Sequence, residues 1–187
     1  MKNKRKDSKL KSDAFFAIAI AGMLVLIYTI SFVAFGTLTQ KTLFFLGGAL
    51  LLLAAAESRQ NTLIAIETVA LAGVLLSFFL LSFSVTMLAM LVVIAVMLAY
   101  FVYIGHYKKH GIEFLGTAGF ILLALGYAFN SGDFTLLTSF FFAFGALVIV
   151  VYSLFMWRVY KIRLQAIWFV LNLVFMISPL LLFLSLI

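Results

Sequence analysis

The chain has 187 residues, of which 66% are hydrophobic and only 10% charged, with a mean hydropathy of +1.27. A soluble domain carries about a quarter charged residues, so too little polar surface is present to cover a water-facing globule, and most of the exterior must face lipid. The net charge of +7 does not point to nucleic acid, because six of the thirteen basic residues fall in the first eleven positions and the rest are scattered between apolar runs.

The composition and the apolar runs together give an all-α integral membrane protein of seven spans, following a basic tail at residues 1–13. A helix crossing the hydrocarbon needs about 20 apolar residues. The first span is expected at 14–36; its run of about 22 apolar residues exceeds the roughly 7–15 of a signal peptide, so it reads as a retained span. The second, at 39–56, ends at Glu57-Ser58-Arg59-Gln60-Asn61. The apolar stretch from Thr62 to Tyr107 is too long for one span and suits two, at 62–81 and 85–105, with a tight turn near Ser82–Ser84. The fifth is expected at 112–129 after the His106–Gly111 loop. Asn130-Ser131-Gly132-Asp133 is a strong turn signal, with Asp133 as N-cap of the sixth span at 134–157. The seventh runs 164–187.

Loop charge supports this count. With the N-terminus in the cytoplasm and the C-terminus outside, as expected for a multi-pass protein of the cell membrane, one side holds twelve basic residues. They are Lys2, Lys4, Arg5, Lys6, Lys9 and Lys11 of the tail, then Arg59, Lys108, Lys109, Arg158, Lys161 and Arg163. The other side holds Lys41. A single missed span would reverse every later loop and destroy that split.

An internal repeat is also expected. Residues 21–50 laid on 118–147 without a gap give nine identities in thirty, against about three by composition. Beyond an eight-residue shift, Gln60 falls on Gln165 and Glu67 on Asn172. Repeats at 14–81 and 112–187, joined by the fourth span, make a three-one-three plan with both units in the same orientation. Such plans place a substrate site at the interface of the units.

In its architecture over the whole chain, this plan resembles the SWEET sugar transporters and the PnuC-type vitamin transporters. The resemblance implies transport, but no site residue and no substrate carries over. The only proline, Pro179, lies in the last span, not in the first helix of each unit, and the Trp- and Asn-rich substrate motifs of PnuC-type proteins are not recognisable.

Glu67 is the sharpest polar position, about 8 Å into the third span at a rise of about 1.5 Å per residue. An ionisable residue at such depth faces a cavity or a partner, so the functional expectation is a proton- or cation-coupling group. The structural alternative is a pairing with Arg59 or a loop lysine, or a reach to the cytoplasmic interface. Gln60 shares the face of Glu67 at a spacing of seven, and Gln165, Asn172 and Pro179 share one face in the last span. Under the repeat these faces meet, with Asn172, Gln60, Gln165 and Trp168 contacting a solute and Pro179 forming a kink. The competing reading of Asn172 is interhelical glue at about 1 kcal/mol.

Other positions read as structural. His106 and His110 lie in a solvated loop with lysines between them, so no metal site is expected, and Glu113 is expected to pair with Lys109. Gly116 and Gly119, with Ala17 and Ala21, read as close-packing positions, and Phe140–Phe142 as a lipid or packing surface. No nucleophile–base pair, phosphate loop or dinucleotide motif is present, so neither enzymatic activity nor a cofactor is expected. The expected function is a small secondary transporter or facilitator of a small solute. The alternative is a non-transporting membrane partner or assembly protein without a substrate cavity. The expected partners are the bilayer, a small solute or coupling cation, anionic lipid at the basic tail and further copies of the chain, with no nucleic acid.

Overall fold

The computed structural model describes the backbone of residues 2–34, 37–79, 81–108, 111–132 and 134–187, with side chains from Ser12 onward. The side chains of the basic tail, the expected Lys109 and His110 contacts and the Asp133 cap lie outside the described residues. Seven helices follow in order: α1 Lys2–Phe32, α2 Leu38–Glu57, α3 Asn61–Phe78, α4 Phe83–Tyr103, α5 Glu113–Asn130, α6 Thr135–Arg158 and α7 Gln165–Leu186. A single 3-10 turn, His106–Lys108, stands between α4 and α5.

All seven helices are long and apolar enough to cross a membrane; in α1 the qualifying segment is Ser12–Phe32. The shortest, at 18 residues, spans about 27 Å, close to a hydrocarbon core of about 30 Å. Large apolar side chains such as Leu24, Leu88, Val96 and Leu181 are more than half exposed. That pattern suits a lipid-facing exterior.

Local signals explain most helix ends. Thr37 caps α2, its Oγ1 accepting from Gln40 N at 3.2 Å. At the opposite end of the neighbouring helix, Lys41 Nζ donates to Ser77 O at 2.5 Å, a cation placed on the carbonyl end of α3. After α2 and after α6 the chain turns through a basic residue in the left-handed region, Arg59 at φ 53° and Lys161 at φ 58°. This conformation is uncommon for a residue with a Cβ. Gly105, at φ 63°, allows the reversal into the 3-10 turn.

Six helices form a closed ring in the order α1, α2, α3, α5, α6, α7 and back to α1, while α4 lies outside it against α3 and α5. Two crossings are set by glycine. A Cβ on Gly22 of α1 would stand 2.8 Å from Gly47 O of α2, and one on Gly119 of α5 would stand 2.5 Å from Ile149 Cγ1 of α6, with Gly145 O at 3.5 Å. Such close backbone approach is how helices associate where no hydrophobic effect separates them from lipid. Ala17 and Ala21 were expected to share this role, but they are exposed; Ala19, Gly22 and Leu26 carry the buried stripe of α1. The apolar composition is uniform around that helix, so the sequence pattern does not distinguish its faces.

Candidate functional site: the Glu67 cavity

Glu67 lies on the buried side of α3, 3% exposed, and its Oε1 accepts from Trp168 Nε1 of α7 at 2.7 Å. Trp168 is completely buried. Asn172, one turn further along α7, turns its Nδ2 back to Trp168 O at 2.9 Å. The donor that reaches the Glu67 carboxyl is thus the indole and not the Asn172 amide. Among the described residues no basic side chain pairs with Glu67, so the expected alternative partner Arg59 plays no part.

Beside Glu67 and Asn172 is a cavity of about 60 Å³, walled by α1, α2, α3, α5 and α7, with room for a few water molecules. Leu26, Phe44, Leu71, Tyr127 and Phe175 form much of its apolar wall. Gly48 keeps the carboxyl open to it: an added Cβ there would meet Leu71 Cδ2 at 3.1 Å and stand 3.7 Å from Glu67 Oε2.

The remaining expected site residues distribute differently. Gln60 precedes the first turn of α3 and its Nε2 reaches only Ser58 O, at 3.5 Å, so it does not join the cavity; it lies in the turn before α3 and is not carried on the helical face that the spacing assumed. Gln165 is wholly buried, with neither amide atom hydrogen-bonded. It sits near the Tyr152 hydroxyl, away from the cavity walls. Pro179 is inside α7, which continues through it to Leu186.

A second buried polar group was not anticipated. Glu113 Oε2 accepts from Thr62 Oγ1 at 2.5 Å and from Tyr152 OH at 2.8 Å, and His106 Nε2 lies 3.1 Å away. His106 Nε2 is also 2.9 Å from Thr62 Oγ1, and its ring packs 4.3 Å from that of Phe101. The reading of His106 as part of a solvated loop is therefore corrected: it is 6% exposed, because the 3-10 turn folds it under the start of α3. Glu113 is likewise a buried centre of polar contacts from α3, α6 and the 3-10 turn. The available signal was Tyr152, a hydroxyl in the middle of an apolar span that requires a partner when buried. Among the described residues no cluster of three or more metal-ligating side chains occurs.

No protein-family model, no curated protein and no solved structure matches the chain. The functional reading therefore rests on the site.

Proposed function

We propose that this multi-pass protein is a small carrier whose solute or coupling-ion site is the Glu67 cavity, between two parallel three-helix units joined by α4. The observation that carries this reading is the composition of the cavity wall. Leu26 and Leu123, Ile30 and Tyr127, Ile66 and Leu171, Glu67 and Asn172, and Ala70 and Phe175 all line it. Each pair is equivalent under the two offsets of the internal repeat. A cavity at an approximate two-fold axis between units is where such a carrier holds its solute.

Three further features support two units. The ring order matches α1-α2-α3 against α5-α6-α7, with α3 on α5 answering α7 on α1. The Gly22 and Gly119 crossings occupy corresponding helix pairs, and the left-handed basic residues Arg59 and Lys161 follow corresponding helices. We place the N-terminus in the cytoplasm on the distribution of basic loops. The Thr62–Glu113–Tyr152–His106 group then ties the units together at the cytoplasmic end, and Glu67 lies further into the bilayer. Opening on that side would have to break it.

The small size of the cavity favours one other reading, a partner or assembly protein with a packed interior. The chain has no cysteine, so a single Ala70→Cys substitution in the cavity wall reports access without interference. In reconstituted vesicles, a carrier labels with a small impermeant cationic methanethiosulfonate from both sides. Labelling from neither side sinks the carrier reading.

A further inference from the structure

The Glu67 cavity is asymmetric in what it offers a ligand. Glu67 Oε1 is occupied by the Trp168 indole, and Oε2 faces the space kept clear by Gly48. Asn172 gives one Nδ2 hydrogen to the Trp168 carbonyl, which leaves Oδ1 as an acceptor and a second N–H as a donor. Glu67 Oε2 and Asn172 Oδ1 therefore present acceptors to the cavity, and the Tyr127 phenol, which lines the same wall, is also able to accept. Among the described residues no cationic side chain answers this carboxyl, so in its low-dielectric site it either holds a proton or takes a positive charge from a ligand. The matching ligand is a hydrogen-bond donor carrying positive charge.

The type of cation follows from the rest of the wall. Hard metal ions take about six or more oxygen ligands, and here only Glu67, Asn172 and Tyr127 bring side-chain oxygens among the lining residues. Phe44, Tyr127 and Phe175 instead offer aromatic rings, which attract ammonium groups through their faces and accept an alkyl group. The narrow space beside Glu67, about 60 Å³, suits a small ion. We propose that this cavity binds ammonium and short primary alkylammonium ions. The proposal rests on the cavity being the solute site of the carrier described above.

Trp168, whose N–H donates to Glu67, is a built-in reporter, and Trp157→Phe in the full-length chain removes the only other tryptophan. That variant, in lipid nanodiscs, is titrated with methylammonium chloride, sodium chloride and methanol, with ionic strength held constant for the salts. The expected result is a saturable change in Trp168 emission with methylammonium alone. Glu67→Gln should weaken it at least about tenfold, and Gly48→Val, which fills the space before Oε2, should abolish it. No saturable response to methylammonium, or an equal response to sodium or methanol, overturns the proposal. The comparison of the three solutes decides it even where a Glu67 variant fails to fold. The two readings fail separately. Methylammonium binding by a protein whose Ala70→Cys variant labels from neither side keeps the cation site and removes the carrier. Labelling from both sides without a methylammonium response does the reverse.

Discussion

Thr62→Val is the sharpest structural test of how the two proposed units are held together. Valine keeps the shape of threonine, so the substitution removes one hydroxyl and leaves no cavity. That hydroxyl donates to Glu113 Oε2 at 2.5 Å and lies 2.9 Å from His106 Nε2, both inside a site where Thr62 is 1% exposed. Two magnitudes bear on the cost. A hydrogen bond to a charged group contributes about 1.5–3 kcal/mol in soluble proteins, whereas interhelical hydrogen bonds in a membrane protein average about 0.6 and reach about 1.7 kcal/mol.

Here the acceptor carries or shares charge and water does not replace the lost donor, so the upper end of the membrane range applies. We expect a loss of about 1.5 kcal/mol. Tyr152→Phe removes the other hydroxyl from the same oxygen, and the double variant should depart from additivity by more than about 0.5 kcal/mol, because the two donors share one acceptor. Reversible unfolding in mixed detergent micelles, followed by circular dichroism, measures both quantities. A Thr62→Val cost below about 0.3 kcal/mol together with strict additivity would show that Glu113 is not held by these hydroxyls.

Gly22→Leu should destabilise by at least about 3 kcal/mol, since its Cβ would meet Gly47 O at 2.8 Å and backbone cannot yield as a side chain does; the same unfolding assay measures it, and a change below about 1 kcal/mol would refute the crossing. Asp13→Asn should leave stability within about 0.5 kcal/mol, because its ion pair with Arg163 is 3.7 Å long between side chains 54% and 72% exposed; a larger loss in the same assay would mean that this end of α1 is anchored more firmly than an exposed pair allows.

The seven spans were legible because each depends on bulk hydropathy and on charged or turn-forming punctuation, and both survive in a single sequence. The expected start of the seventh span at 164 and the expected end of the second at 56 each differ by one residue from the helices, which start at Gln165 and end at Glu57, since Glu57-Ser58-Arg59 and Lys161-Ile162-Arg163 interrupt the apolar runs sharply. Glu67 and Asn172 stand out in the sequence because polar residues are rare in apolar spans, but the indole of Trp168 as the donor to Glu67 was read only as a wall contact. What remained hidden were contacts that depend on how one helix is rotated against another. From Ala14 to Phe32 of α1 nearly every residue is apolar, so nothing marks Ala19 and Gly22 rather than Ala17 and Ala21 as the inward set. Glu113 was read only against Lys109, which lies outside the described residues, and its contacts with Thr62, 51 residues away, and Tyr152, 39 residues away, went unseen. Only the reversal at Gly105 brings His106 to the same place.

The two buried acids separate by what answers them. Glu113 receives two hydroxyl donors and an imidazole on one oxygen, contributed by three different elements, so that oxygen is already answered from within the protein. Glu67 receives one indole donor on one oxygen, and its other oxygen opens on a cavity whose second polar wall, Asn172, also presents an acceptor. A group that evolution needed only for packing would be cheaper as glutamine or leucine at this depth, since buried ionisable groups are costly when their partners are incomplete. A cation that enters and leaves would supply the missing partner at Glu67, while at Glu113 it would have nothing left to do. The carboxyl with fewer partners is therefore the one that a mobile charge should answer, and in the proposed carrier the one with more partners is the tie between the two proposed units that would have to release for that charge to pass.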